Sequence, residues 1–445
     1  MKKTISLLLA LVLSVSMAGC AGQSPDASSQ SVEASSSQAE TSSTAAETVP
    51  TGEVLFWDMV QSDAYLETAQ GLCEKFSQEN PTIKLTYQSI PWDGYVQNFT
   101  TAIASGAGPD MSTGGGSMQH LFAAMGEILP LDPIIDEWKE EGKLDDFDPI
   151  ALSLIRFNGK QIGIPWQYDP RMLWQNTEAF AKAGITELPK DLESFRQTLI
   201  TLKNSGVKNP FIISGTDHFA LLSFWQMIAF QFGGGLMKDG QIIVDSPESI
   251  KAFAYIKQLM DDGLIPKDIA GWNANDTDAQ FLQGNGAIAW GTGDMSVKAQ
   301  NQAADMVDKI AILPRVTDKT INPANSIMAY SKTKNPEATL YTLKWWSENN
   351  ESLFTDGQLN KIPVRKSFME NPAIGVDATK KAIMSLVIPN SVGNGFPNAE
   401  LYPQYQVIMG NGVITEAMQK MLLSGATPES VAAEAKVQIQ QILET

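Results

Sequence analysis

Two cysteines and two histidines among 445 residues are too few for a structural zinc site or a histidine-rich metal centre, because soft and borderline metals draw their ligands from those side chains. The same scarcity excludes a disulfide framework. No Gly-x-x-x-x-Gly-Lys-Ser/Thr run occurs, so the chain lacks a P-loop for a nucleoside triphosphate. Cations are outnumbered: 32 Lys and Arg against 50 Asp and Glu leave a net charge of −18, the wrong sign for a partner of nucleic acid. No Gly-x-Ser-x-Gly elbow accompanies His120 or His218. Ser205 to Lys208 and Ser331 to Lys334 match Ser-x-x-Lys without the Ser-Asp-Asn and Lys-Thr-Gly companions of a serine acyltransferase. No spacing marks a carboxylate pair for glycoside hydrolysis. No catalytic residue, metal or cofactor is therefore expected. What is present, 43% hydrophobic and 18% charged residues, is an ordinary globular composition, long enough for two or three domains or one two-lobed fold.

Lys2 and Lys3 precede an apolar stretch from Ile5 to Val15, and small residues follow up to Cys20, the layout of a signal peptide over residues 1–19 that is too short to span a bilayer. Met17-Ala18-Gly19-Cys20 resembles the bacterial lipobox, with Met17 where Leu is usual, which implies cleavage before Cys20, lipidation of its thiol and tethering to a membrane. Residues 20–51 are rich in Ser, Ala, Thr, Gln and Glu and carry no aromatic residue, so a disordered leash is expected. Cys73 then has no disulfide partner. It shares a helical face with Tyr65, Ala69, Leu72 and Phe76, the pattern of a small buried hydrophobe.

From Gly52 onward, apolar runs alternate with helical patterns. Val54 to Trp57 predicts a strand, Ser62 to Gln78 a helix and Ile83 to Tyr87 a second strand. Ser246-Pro247, Asn335-Pro336 and Thr427-Pro428 each place a capping side chain ahead of proline at a helix start. This is α/β architecture. Seven segments in order, among them "LFWD" at 55–58, "FTTAIASGAGPD" at 99–110, "GKQIGIPW" at 159–166 and "FLQGNGAIAWGTGD" at 281–294, resemble the carbohydrate-binding family 1 of extracellular solute-binding proteins from bacterial ABC importers. That resemblance implies a two-lobed, periplasmic-binding-protein-like type II fold with hinge crossovers and a ligand cleft between the lobes. It places crossovers near Gly163 to Trp166, Lys309 to Ile312 and Ala329 to Thr333. Lobe 1 is then 52–164 with 310–331, and lobe 2 is 165–309 with 332–445.

A sugar has apolar C–H faces and a girdle of hydroxyls, so its site needs aromatic platforms beside carboxylate, amide and guanidinium groups. Trp57, Trp92, Trp166, Trp225 and Trp272 stand at strand ends, loops or Gly-rich turns, whereas Trp138, Trp345 and Trp346 sit in helical patterns. Trp166-Gln167-Tyr168-Asp169-Pro170-Arg171 is the densest cluster, and the resemblance puts it at the first hinge. Tyr168 can stack or donate there, Asp169 can accept from paired hydroxyls, and Arg171 can reach ligand or fix Asp169. Trp57-Asp58 and Asp110 match positions where the family commonly contacts ligand, although Asp110 can equally cap a turn. Gly114 to Ser117 is read as a flexible rim or a close backbone approach. In the second lobe Gly291 and Asp294 follow a strand, Asp294 standing where many relatives carry Trp, and Trp272 with Asn273 is expected to supply the platform instead. Asn273 to Asp278 is read as helix capping and not a calcium loop, since position 284 is Gly. Phe396 lies in a Pro/Gly/Asn-rich loop within reach of the cleft.

The expected protein is a monomeric, lipid-anchored receptor on the outer face of a bacterial, Gram-positive membrane. It binds a carbohydrate, presents it to ABC permease subunits and takes no nucleic acid. A receptor for a polyol, glycerol phosphate or peptide, a surface glycan hydrolase, and a module feeding a membrane sensor are the competing readings.

Overall fold

The computed structural model describes residues 49–444 apart from 60, 93–94, 116, 322, 376–377 and 399–400; the signal peptide, Cys20 and most of the expected leash lie outside the described residues. The first sheet is built from β1 (Gly52–Met59), β2 (Ile83–Ile90), β3 (Met111–Gly114), β4 (Ile164–Tyr168), β9 (Ala324–Ala329) and β10 (Ile362–Pro363). The second holds β5 (Met172–Asn176), β6 (Asn209–Ile212), β7 (Gly286–Gly291) and β8 (Ile310–Leu313). Their orders are β10-β4-β9-β3-β1-β2 and β8-β5-β7-β6. β1 runs parallel to β2 and β3, as helical crossovers require, while β9 returns antiparallel between β3 and β4. Two α/β layers, each with its own sheet, make the expected two-lobed fold. Among the described residues no helix is long and apolar enough to cross a membrane.

Local signals account for many of the boundaries. Ser246 accepts the Ser249 amide at 3.2 Å ahead of the Pro247–Asp261 helix, and Thr427 accepts that of Ser430 at 3.2 Å ahead of Pro428–Glu444. Asn335 precedes the Pro336–Asn349 helix as predicted, but its amide side chain donates to the Glu53 carbonyl at 2.9 Å, so it ties that helix to β1.

The crossovers differ from the expected ones. Gly163 to Trp166 falls mostly in β4, and the chain changes sheet three residues later, at Asp169-Pro170-Arg171 between β4 and β5. Ile310 to Leu313 is not a crossing but the edge strand β8 of the second sheet, so these residues leave lobe 1 and the crossing is 314–323. After Ala329 the chain stays with the first lobe: the Pro336–Asn349 helix packs on β1 and β9, and β10 pairs with β4. It rejoins the second lobe where Phe396 packs on Phe230 and where Tyr405–Gly410 and Val413–Ser424 pack on the His218–Phe232 helix. A parallel-looking apolar run has no label that says which of two sheets it will join, and that choice is made by pairing partners far away in sequence.

Several expected ligand residues lie inside the lobes. Trp225 is fully buried, with its ring 5.0 Å from that of Phe253, in the core of the second lobe. Trp166 and Tyr168 project from β4 into the first core, Trp166 against Phe354 at 5.8 Å. Trp57 packs edge-on against Phe99 at 5.0 Å with its indole nitrogen shielded. Asp58 is wholly buried at the end of β1, where Tyr65 donates to both of its oxygens at 3.0 Å, Tyr87 at 2.9 Å and Thr113 at 2.6 Å. Burial pushes its carboxyl above the usual range, while the Thr113, Tyr87 and Tyr65 hydroxyls pull it back. These residues hold β1, β2, β3 and the Asp63–Glu79 helix in one frame. Cys73, buried on that helix, is the small hydrophobe its pattern predicted.

Replacing Asp58 by Ala leaves three core hydroxyls without their acceptor and is expected to destabilise the protein by about 2 to 4 kcal/mol. A lowered urea midpoint checks this. An unchanged midpoint would mean the hydroxyls find other partners.

Candidate functional site

Where the lobes face each other, two chambers of about 910 and 680 Å³ share Trp92, Asp169, Arg171 and Asp217 in their walls. The shared residues make them one cleft with a waist. Each chamber falls in the size range of small-molecule sites, ~300 to 1,000 Å³. The larger one is faced by Trp92, Tyr95, Leu121, Phe219 and Met409 with neutral amides such as Asn325 and Gln406. The smaller is ionic, with Asp169, Asp278, Asp294, Lys298 and Lys361.

Trp92 is 37% exposed and lies edge-on to Tyr95, ring centres 5.3 Å apart. Its ring rests on Gly115, where a Cβ would come within 3.0 Å of it, so the Gly-rich segment after β3 serves as a close backbone approach. Gly215 plays the corresponding part after β6, since a Cβ there would sit 2.0 Å from the Ile269 carbonyl oxygen. Its amide donates to the Trp272 carbonyl at 3.0 Å, which sets Asp217 at the start of the His218–Phe232 helix.

Asp169 and Arg171 occupy the first crossover, so both lobes position them. Arg171 Nη1 meets Asp169 Oδ2 at 3.1 Å, and its guanidinium lies 4.7 Å over the Phe219 ring. Lys361 Nζ donates to Asp169 Oδ1 and to Asp294 Oδ2, each at 2.7 Å. Thr292 adds a hydroxyl to Asp294 Oδ2 at 3.1 Å. Burial alone would raise the Asp169 carboxyl, but Arg171 and Lys361 outweigh it and hold it down at about 2. Burial likewise opposes the charge on Lys361, and Asp169 with Asp294 restores it, so the ammonium titrates above its ordinary value. On the same wall Lys298 holds Asp278 at 2.5 Å, yet burial keeps that carboxyl above its ordinary range.

The lobes are stitched beside both chambers. Asn360, just before β10, donates to the Gly293 carbonyl at 2.6 Å and to Ser296 Oγ at 2.8 Å. At the other end Gln406 takes a hydrogen bond from Ser117 Oγ and donates to Tyr95 Oη at 3.2 Å.

Of the residues singled out in the sequence, Trp92, Asp169, Arg171, Gly291 and Asp294 line the cleft together. Asp110 does not, because its carboxylate accepts the Leu55 amide at 2.8 Å and ties β1 to the turn before β3. Trp272 is wedged against both cores, and Asn273 caps the Ala274–Leu282 helix in a reciprocal box with Asp276, so neither provides the expected platform. Phe396 packs on Phe230 at 4.9 Å and lines a small side cavity of about 80 Å³ that meets the cleft wall only at Pro323 and Asn394. Lys361, Asn360, Gln406 and Asp217 were missed. Lys361 lies 192 positions from Asp169, and nothing in its immediate sequence marks it. Tyr95, three residues after Trp92 beside Gly94, carried a signal that aromatic spacing alone could have read.

The family of bacterial extracellular solute-binding proteins matches residues 62–349, a span that runs from just after β1 through β9 and includes the first two crossovers. The chain belongs to that family. It is a solute-binding protein of the ABC-transporter type and not an enzyme. A binding protein of Brucella abortus is 24% identical over 383 residues, covering 83% of this chain and 88% of its own. The diacetylchitobiose-binding protein of Streptomyces coelicolor is 25% identical over 270 residues, 60% of this chain and 58% of its own. Among solved structures, a sugar transporter component from Arthrobacter chlorophenolicus with bound laminaribiose superimposes with a TM-score of 0.78 at 26% identity, covering 88% of this solute-binding protein and 99% of that chain.

The depressed Asp169 carboxyl gives a pH prediction. A folded pKa of about 2 lies below the unfolded value of about 3.9, so the stabilisation is present in full above pH 4 to 5 and disappears as pH falls through 2. In this partly exposed group it amounts to about 2 kcal/mol, roughly half of which is gone at pH 3. The stability gap between wild type and Asp169→Asn, measured by urea unfolding, should therefore narrow from pH 6 to pH 3. A gap of constant size would place Asp169 outside the ion-paired network.

Proposed function

We propose that this solute-binding protein captures an oligosaccharide in the two-chambered cleft and hands it to the permease subunits of an ABC importer. It acts as a monomer, tethered through lipidated Cys20 to the outer face of a Gram-positive bacterial membrane. The observation that carries the ligand class is Trp92: an indole left open over the cleft, braced by Tyr95 and Gly115, beside a wall of carboxylates, amides and cations. A pyranose presents an apolar face to the first and hydroxyls to the second. Two joined chambers suit more than one ring. Relatives named for diacetylchitobiose and arabinooligosaccharide, and the laminaribiose-bound structure, support the same class. Ligand touching both walls favours lobe closure, since only the closed arrangement completes its contacts, and the Gln406 and Asn360 bridges are positioned to respond to it. A micromolar dissociation constant corresponds to about −8.2 kcal/mol, within reach of one desolvated aromatic platform and several charge-assisted hydrogen bonds.

Trp92→Ala is expected to weaken binding roughly 10- to 100-fold, the loss of about 1.5 to 3 kcal/mol of apolar burial, with the melting temperature nearly unchanged. Titration calorimetry of residues 52–445 against neutral di- and trisaccharides measures it. An unchanged dissociation constant would remove Trp92 from the site, and a consumed sugar would overturn the binding reading. For the anchor, Cys20→Ala should lose palmitate label and appear in the medium; membrane retention without label would refute lipidation at that thiol.

A further inference from the structure

We propose that the cleft selects uncharged glycans and that the Lys361–Asp294 pair is the determinant that turns anionic ones away. The inference rests on the carbohydrate reading and narrows it. Among the described residues three permanent cations line the chambers, and each is already held: Arg171 by Asp169 at 3.1 Å, Lys298 by Asp278 at 2.5 Å, and Lys361 by Asp169 and Asp294 at 2.7 Å. Five of the described aspartates line the same walls. The remaining two, Asp63 and Asp217, add negative charge, Asp217 while accepting the Phe219 and Ala220 amides. His218, a further basic side chain in the wall, bonds Thr415 through Nδ1 at 2.9 Å.

Among the described residues an incoming carboxylate or phosphate therefore meets no permanent cation whose charge is unclaimed. To reach Lys361 it would have to displace Asp169 or Asp294, and Asp169 would lose one of its two cations and keep Arg171 alone, a costly break in a partly buried network. The molecule's net charge of −18 opposes its approach as well. A hydroxyl faces no such barrier. Lys361 uses two of its three N–H groups on carboxylates, so the third remains a donor. Asp294 engages Lys361 and Thr292 through Oδ2, which leaves Oδ1 as an acceptor. A vicinal diol can accept from the one and donate to the other without separating the charges. The same groups that would bind an anion if free thus become, once paired, a hydroxyl reader.

The test is calorimetry at about 0.15 M salt on the wild-type chain, with maltose, cellobiose, laminaribiose and chitobiose as neutral probes and digalacturonate, glucuronate and glucose 6-phosphate as anionic ones. Wild type should bind at least one neutral probe and none of the anionic ones at millimolar concentration. Asp294→Asn, which removes one of the two anions on Lys361, should raise the ratio of anionic to neutral affinity at least tenfold; Asp278→Asn, which frees Lys298 on the same wall, carries the same expectation should the first variant fold poorly. Anionic binding by wild type as tight as neutral binding would overturn the inference, and so would an unchanged ratio in the folded variant. If the folded wild type bound no sugar of either kind, the carbohydrate reading itself would fall.

Discussion

Charge buried between lobes has to be paired, and that requirement organises this protein. Asp169 sits on the first crossover, Arg171 two residues later, Lys361 at the entry to β10 and Asp294 after β7, so one chain of ion pairs gathers the hinge, the edge of the first sheet and the second lobe. Each member is costly alone in a partly dry cleft and tolerable only with its partners in place. The chain of pairs therefore sets where the lobes meet and also lines the cavity they enclose.

A division of labour follows from this geometry. Rigid cores built on Asp58, Trp166 and Trp225 hold the two sheets, and the faces turned toward the cleft carry the groups that are incompletely satisfied: an open indole at Trp92, an acceptor at Asp294, a spare donor on Lys361. Recognition sites are built from polar capacity left over after folding, placed where water can be excluded when the lobes close. The larger chamber is faced mainly by aromatic and aliphatic side chains with neutral amides, and the smaller one by ion pairs.

Much of the fold was legible because its signals are local. Period-2 and helical runs, and Ser246 and Thr427 ahead of prolines, report the chemistry of a few adjacent residues, and the structure places strands and helices there. The crossovers were displaced because sheet membership is decided by distant pairing: β8 reads like any apolar strand and joins the second sheet through β5, while the Pro336–Asn349 helix docks on β1. Among aromatic residues, sequence position could not separate platform from core. Trp92 and Trp225 both stand near loops or turns in the pattern, yet one is more than a third exposed and the other is sealed in the core against Phe253.

The sequence by itself determined the class of molecule: an acidic, cysteine-poor α/β chain with ordered family segments, no nucleotide loop, and a dense Trp166-to-Arg171 cluster of which Asp169 and Arg171 reach the cleft. Only the tertiary structure decided which aromatic faces the cavity, that Asp58 and Asp110 serve the backbone and core, and that Lys361 closes the ion chain. The reason is that composition and short-range patterning act over a few residues, whereas a site between lobes is defined by side chains as far apart as 311 positions, as Tyr95 and Gln406 are, that meet only after both sheets have formed.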